Sequence, residues 1–159
     1  MCLAADQVPA TGVRKAVSAD VEDMRRIAEA AYAPYVPRLG RKPAPMTADF
    51  AAAVADGQAY VLDGDAGIAG FIVTFEKDAG QFIENVAVDP ARHGGGYGRR
   101  LLDFAEHEAA RRRLGRLFLY TNIHMRENLD FYPKLGYLET HRVHEDGFDR
   151  VYFEKRVFP

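Results

Sequence analysis

A glycine cluster between an apolar strand and an amphipathic helix constrains this chain most. Four of the five residues from 94 to 98 are glycine. They follow Phe82–Val88, whose apolar residues predict a strand ended by Asp89-Pro90, and they precede a helix predicted from about Gly96 to Leu114. A further strand, Arg116–Thr121, comes next. The sequence therefore predicts a β-loop-α-β crossover within a mixed α/β fold.

The glycine cluster has the properties of a phosphate-binding turn. Glycines let the backbone approach a ligand closely, and a helix start leaves several N–H groups without partners. The positive end of the helix dipole favours an anion there. Arg92, Arg99 and Arg100 add formal positive charge. A flexible glycine-rich turn is the alternative interpretation, but position, charge and neighbouring elements all favour a phosphate site.

The common nucleotide-binding motifs do not fit this segment. A Walker A loop requires Lys-Ser or Lys-Thr after its last glycine, and Arg99-Arg100 stands there instead. A dinucleotide fingerprint that starts at Gly94 or Gly96 lacks its last glycine. The next strand ends in Tyr120-Thr121-Asn122, without the acidic residue that would bind a ribose.

Two segments together resemble the GNAT superfamily of acyl-CoA-dependent N-acyltransferases. That family's pyrophosphate loop reads Gln/Arg-x-x-Gly-x-Gly/Ala. Gly96 and Gly98 match its two small positions, Leu101-Leu102 match the apolar pair that follows, and His93 stands at the Gln/Arg position. The segment FYPKLGYLE, residues 131–139, is similar to the family's Phe-Tyr-x-x-x-Gly-Phe motif. The resemblance extends from about Val13 to Lys155.

The resemblance implies a fold, a co-substrate and a set of binding residues. We expect a GNAT-like α/β fold, a largely antiparallel splayed sheet flanked by helices, in one domain over residues 11–159. Residues 1–10 are expected to form a flexible tail. Acetyl-CoA would lay its pantetheine arm along the strand backbone and its pyrophosphate on the glycine turn. The residues that the resemblance assigns to it are Val86, Ala87, Val88, His93, Gly94, Gly95, Gly96, Tyr97, Gly98, Arg99 and Asn128.

Two residues are candidates for proton transfer during acetylation of an amine. A lysine-like ammonium has a pKa of about 10.4, so a general base helps to produce the neutral amine. Glu84 interrupts an apolar strand, and strand alternation places it on the face of Phe82 and Val86, where a carboxylate is costly. An exposed edge glutamate, or one paired with an arginine, is the alternative. Tyr132 occupies the family's tyrosine position, which implies a general acid for the thiolate; core packing is its alternative.

The acceptor is not indicated by any motif. Pro34–Pro45, predicted to be a loop, and the hairpin at Asp146-Gly147 are expected to shape the acceptor site. Thr47 is predicted to cap a short helix that runs to Val54. Four aromatic residues could line the site, although packing alone would also explain them: Tyr32, Tyr35, Phe148 and Tyr152.

Composition limits the remaining functions. With 21 Lys and Arg against 23 Asp and Glu, the net charge is −2, which gives no global attraction to nucleic acid or to an anionic membrane. The histidines lack metal-ligand spacing, and the single cysteine, Cys2, suits a reducing compartment. We therefore expect a cytoplasmic enzyme without a metal, and a homodimer is compatible with the sequence. A non-catalytic acyl-CoA sensor on the same fold is the main alternative; acylation of a hydroxyl or a protein N-terminus is a weaker one.

Overall fold

The computed structural model describes residues 12–92 and 94–158, and its strands form one sheet. The strands are β1 (Val13–Lys15), β2 (Ala59–Gly64), β3 (Gly67–Lys77), β4 (Gly80–Val88), β5 (Arg116–Asn122), β6 (Leu138–Glu145) and β7 (Phe148–Arg156). The α-helices are α1 (Val21–Tyr32), α2 (Val36–Leu39), α3 (Phe50–Ala55), α4 (Tyr97–Arg111) and α5 (Arg126–Lys134). Short 3₁₀ helices occupy Ser18–Asp20, Ala33–Tyr35, Ala44–Thr47 and Pro90–Arg92.

The sheet opens between its two central strands. Its order is β1-β2-β3-β4-β5-β7-β6, and every neighbouring pair is antiparallel except β4 and β5. These two parallel strands pair only where residues 81–83 meet residues 117–119. Beyond that point β4 continues to Val88 and β5 to Asn122 without pairing with each other, although β4 stays paired with β3 and β5 with β7. The predicted fold class, a splayed and largely antiparallel sheet flanked by helices, is confirmed.

Helices bury their apolar faces on both sides of the sheet. On one side, α4 contributes Leu101 and Ala105 to a cluster with Ile72 and Ile83 of the central strands. On the other side, Met24 and Ile27 of α1 pack with Phe50 of α3 and Phe71 of β3. Full burial of one such Leu, Ile, Met or Phe side chain stabilises the fold by about 1.5–3 kcal/mol. Packing on both faces thus fixes the positions of the strands on either side of the opening in the sheet.

The proline-rich segment between α1 and α3 differs from its prediction. Pro34–Pro45 is predicted to be a loop, but it contains helical turns at Ala33–Tyr35, Val36–Leu39 and Ala44–Thr47. Proline suits the first turn of a helix because its missing N–H has no partner there anyway. The predicted cap at Thr47 is also wrong: Asp49 caps α3 by accepting a 3.0 Å hydrogen bond from the N–H of Ala52.

Two expectations concern residues outside those that the structure describes. The predicted flexible tail, residues 1–10, lies outside the described residues, and Cys2 with it. His93, assigned to the pyrophosphate, lies outside them as well. Within the described ranges, the helices are all too short or too polar to cross a membrane.

Candidate active site

The glycine turn lies between β4 and the start of α4. Gly94 and Gly96 have φ angles of 90° and 72°, a left-handed conformation that glycine adopts without strain. The first hydrogen bond within α4 runs from the N–H of Arg100 to the carbonyl of Gly96 at 3.1 Å. The N–H groups of residues 97–99 precede that bond and have no partner inside the helix. Together they form an anion-binding helix start.

The space beside two glycines of this turn is open. A Cβ added to Gly96 would meet no atom within 4 Å, and one added to Gly98 would make only ordinary contacts of 3.8 Å with Val88 and 3.9 Å with Phe131. Gly95 has a different role, since a Cβ there would lie 2.5 Å from the ring of Tyr97. The turn therefore leaves open space beside Gly96 and Gly98, which we call the glycine cradle.

A cleft of about 700 Å³ extends from this cradle along β4. Arg92 and Arg99 line it, whereas Arg100 lies 5.5 Å from the ring centre of Tyr97. Among the residues assigned to acetyl-CoA, those that line the cleft are Val86, Ala87, Val88, Gly94, Gly96, Tyr97, Gly98, Arg99 and Asn128. These predicted residues thus lie along one continuous cleft in the structure. Gly95 does not line the cleft; its lack of a side chain makes room for the ring of Tyr97.

A second cavity, of about 420 Å³, is lined by residues of β4 and β5 on both sides of the opening between them. Its walls come from the 3₁₀ turn at Ala44–Thr47, from α3, and from side chains of β4, β5 and β7. Four residues line both spaces: Tyr32, Val86, Asn128 and Tyr132. At these four residues, which we call the junction, a group bound in the larger cleft lies next to a group bound in the smaller cavity.

Tyr132 lies at the junction in mostly apolar surroundings. It is 6% exposed, and its ring centre is 5.6 Å from that of Tyr137 and 5.7 Å from that of Phe153. Burial raises the pKa of its phenol well above the ordinary value, and Tyr35 adds to the shift. The phenol therefore stays protonated throughout the neutral and mildly alkaline range, as a proton donor must.

Glu84 occupies a β-bulge, which the sequence analysis did not anticipate. Val73 of β3 pairs with Asn85 and the next residue, Thr74, pairs with Ile83, so Glu84 has no cross-strand partner. The extra residue breaks the strand alternation. Glu84 is exposed, whereas Val86 packs against the α4 side of the core. The expected apolar surroundings are therefore wrong, but Glu84 lines the smaller cavity, two residues before Val86, the β4 residue of the junction.

The bulge also buries an amide whose oxygen has no partner. Asn85 is 5% exposed and lines the smaller cavity. Its Oδ1 accepts no hydrogen bond from the described residues. A buried acceptor without a donor costs about 1–3 kcal/mol. Sequence reasoning missed this residue because only the bulge turns it inward.

Two further polar contacts shape the junction. The Asn128 Nδ2 donates to Thr121 Oγ1 at 3.0 Å and to the Met125 sulfur at 3.7 Å. The Tyr32 hydroxyl donates to the main-chain oxygen of Val86 at 2.9 Å. A role of Asn128 in binding acetyl-CoA stays a prediction. Tyr32 reaches the site through its contact with Val86, which lies 54 positions further along the sequence.

The predicted aromatic residues divide between the two spaces. Tyr32 and Phe148 line the smaller cavity, and Tyr35 lines the larger cleft. Tyr152 instead donates a 2.5 Å hydrogen bond to Glu145. Glu145 and Asp146 also form ion pairs with Arg150, which lines the smaller cavity. Tyr152 therefore contacts the cavity wall only through Glu145.

Comparison with known families agrees with this architecture. The family model described as the acetyltransferase (GNAT) domain matches residues 55–139, which is more than half of the 159 residues. The chain therefore belongs to the GNAT acetyltransferase family. The match includes the bulge, the glycine turn and Tyr132. A search of curated proteins gives no match.

Solved structures share the fold at low sequence identity. The ribosomal-protein-S18-alanine N-acetyltransferase from Escherichia coli superposes with a TM-score of 0.73 at 21% identity, over 92% of this chain and 94% of that one. Ard1 from Thermoplasma volcanium gives 0.74 at 19%, over 92% and 97%. The PaiA N-acetyltransferase from Thermoplasma acidophilum, in complex with coenzyme A, gives 0.74 at 18%, over 91% and 97%. At these identities the likeness establishes the fold alone.

Proposed function

We propose that this protein transfers an acetyl group from acetyl-CoA directly to a primary amine of a small molecule or peptide. The observation that carries the proposal is the junction. An arginine-lined cleft with a glycine cradle and a second, separate cavity share Tyr32, Val86, Asn128 and Tyr132. Such an arrangement lets two substrates meet while each keeps its own binding surface.

The larger cleft fits the donor. The free N–H groups of residues 97–99 and the guanidinium groups of Arg92 and Arg99 would hold the pyrophosphate. The β4 edge from Val86 to Val88, unpaired with β5 in the opening, would bind the pantetheine arm through its backbone. Acetyl-CoA supplies a thioester carbonyl to the junction.

Glu84 and Tyr132 divide the proton transfers. Glu84, directly or through water, takes a proton from the acceptor ammonium, and the free amine forms a C–N bond with the acetyl carbon. As the C–S bond breaks, the nitrogen loses its second proton to water, and the Tyr132 phenol donates a proton or a hydrogen bond to the departing thiolate. Where Tyr132 gives up its proton, it regains one from water, so that the products are the amide and the free thiol of CoA. The single cysteine of the chain is Cys2, far in sequence from these residues, which favours direct attack over a covalent enzyme intermediate.

A thiol-release assay tests the proposal. Purified protein with acetyl-CoA is screened against diamines, amino acids, aminoglycosides and short peptides, and the acetylated product is verified by mass spectrometry. We expect steady release of free thiol that depends on one class of amine. Tight binding of acetyl-CoA without turnover across the panel would instead support the acyl-CoA sensor.

A further inference from the structure

Two neighbouring side chains of the smaller cavity have N–H groups that no described residue accepts. Asn122, the last residue of β5, lies directly opposite Arg150 of β7 in the sheet. Side chains at directly paired positions lie next to each other on one face of the sheet. Both residues line the smaller cavity, and each is 8% exposed. We call them the Asn122–Arg150 pair.

Asn122 offers a donor that a ligand can reach. Its Oδ1 accepts a 2.9 Å hydrogen bond from the backbone N–H of His124, which assigns Nδ2 to the other side of the amide. Within residues 12–92 and 94–158, Nδ2 has no acceptor. The fully enclosed side-chain atoms without a partner in these ranges are Gln81 Oε1 and Asn85 Oδ1. Nδ2 therefore keeps accessible surface, and since the residue lines the cavity and is otherwise buried, a ligand in the cavity can reach it.

Arg150 offers further donors from a guanidinium that is held in place. Its Nη1 pairs with Asp146 at 2.9 Å and with Glu145 at 3.3 Å. The guanidinium carbon lies 4.2 Å from the ring centre of Tyr120 and 5.6 Å from that of Phe148. Among the described residues, Nε and Nη2 have no hydrogen-bond acceptor, and neither atom is fully enclosed. These N–H groups are therefore available to a ligand without any rearrangement of the side chain.

The Asn122–Arg150 pair lies beside the junction. Ile83 and Leu119 form the last pair that joins β4 to β5, and Val86 and Asn122 each lie three residues beyond it. The two residues thus occupy equivalent positions on the separating strands. An oxygen bound by the Asn122–Arg150 pair is therefore close to an amine at the junction.

The charges around Arg150 favour a neutral oxygen. Its one positive charge is shared between the carboxylates of Asp146 and Glu145, and Glu84 lines the same cavity. A ligand carboxylate would add a fourth negative charge near a single positive one, which is unfavourable. An amide carbonyl has two lone pairs and no net charge, so it can accept from both side chains without this repulsion.

We infer that the acceptor carries a neutral carbonyl oxygen close to its reacting amine, as an amino-acid amide or the amino terminus of a peptide does, and that Asn122 and Arg150 bind this oxygen. The inference rests on the proposed function and specifies its substrate class. Asn122 and Arg150 are then specificity-determining residues: they hold the acceptor, whereas Glu84 and Tyr132 take part in the proton transfers.

Matched acceptors test the inference. The ω-amino amides from glycinamide to 4-aminobutanamide are compared with the alkylamine and the ω-amino acid of equal carbon number, at saturating acetyl-CoA. Rates are expressed per free amine, from the amine pKa of each compound, so that differences in acidity do not contribute. The best amide is expected to exceed its alkylamine by about tenfold or more in kcat/KM, the effect of one hydrogen bond to a charged group. Its amino acid is expected to be poorer than the amide.

Two variants locate the preference in this pair. Asn122→Asp keeps the oxygen that accepts from His124 and removes the Nδ2 donor, and Arg150→Lys keeps the charge and removes the free guanidinium N–H groups. Each should reduce the ratio of amide to alkylamine kcat/KM by about threefold or more, through the acceptor KM, with the acetyl-CoA KM unchanged. Arg142→Lys, the same substitution at an exposed position of β6, is the control and should keep the full amide advantage.

The outcomes separate this inference from the proposed function. Turnover of amines without an amide advantage, an amino acid that exceeds its amide, or an advantage untouched by both variants overturns the inference and leaves the acetyltransferase standing. No thiol release with any member of the wider amine panel overturns both. If a variant fails to fold by circular dichroism, the ranking of the matched acceptors on the unchanged protein still decides.

Discussion

The hydroxyl of Tyr32 donates a 2.9 Å hydrogen bond to the main-chain oxygen of Val86. Tyr32 is the last residue of α1, and Val86 lies on the part of β4 that has separated from β5. The hydrogen bond therefore holds the end of α1 against the edge of β4 at the point where the two cavities meet. Both residues line both spaces, so this contact helps to fix the shape of the junction.

Tyr32→Phe should lower stability while it leaves donor binding nearly intact. Loss of one such hydrogen bond removes about 0.5–1.5 kcal/mol, which lowers Tm by about 1–6 °C for a chain of this size. The Val86 oxygen has a second lone pair for a ligand N–H, so the acetyl-CoA KM should change less than threefold. Tyr35→Phe is the control, since the Tyr35 hydroxyl makes no hydrogen bond to the described residues. An equal fall in Tm for both variants would contradict the prediction.

Gly98→Val should weaken CoA binding at least tenfold without unfolding the protein. The new Cβ would make only ordinary contacts with Val88 and Phe131, and valine is no worse than glycine inside a helix. It would, however, occupy the space in which we place the pyrophosphate. Isothermal calorimetry with CoA measures the effect. Gly115→Val adds the same atoms at an exposed position with nothing within 4 Å and should bind normally; unchanged affinity in Gly98→Val would move the phosphate site elsewhere.

Glu84→Gln should reduce kcat/KM for a good amine by about 10²-fold near neutral pH, the scale of general-base catalysis. The loss should shrink at high pH, where free amine is abundant in solution. Glu76→Gln provides the control, because Glu76 is exposed on the neighbouring strand β3 and lines neither cavity. A pH profile that keeps both its shape and its height in Glu84→Gln would make the residue structural.

Local sequence predicts the donor side of this site better than the acceptor side. The glycine turn, the strand before it and Tyr132 lie within short motifs whose geometry depends on neighbours in the chain. The bulge at Glu84 depends on how β3 pairs with β4, and no residue type in β4 specifies that register. Tyr32 and Asn85 acquire their positions through contacts distant in sequence. The helical turns in Pro34–Pro45 were also missed, because the prolines of this segment were interpreted as a loop although each turn has a proline at its start.

Tyr132→Phe distinguishes a catalytic role of the Tyr132 hydroxyl from a role in core packing alone. The substitution removes one hydroxyl and keeps the ring contacts with Phe131, Tyr137 and Phe153, so Tm should change little. If the phenol assists the departing thiolate, its interaction strengthens as charge develops on sulfur, and the loss falls on kcat. We expect kcat to fall by about 10- to 1,000-fold with a nearly constant acetyl-CoA KM.

The pH dependence gives this prediction a second readout. Because burial raises the pKa of Tyr132 above its ordinary value, the protonated, active form persists as the pH rises, and it is lost only above that raised pKa. The unmodified enzyme should therefore show no fall in kcat from this group up to about pH 10, the value at which an unperturbed phenol titrates. The ratio of its kcat to that of Tyr132→Phe should stay constant from pH 7 to 10. A normal kcat in the variant, measured with a verified acceptor, would remove Tyr132 from the mechanism and leave water or another residue as the acid.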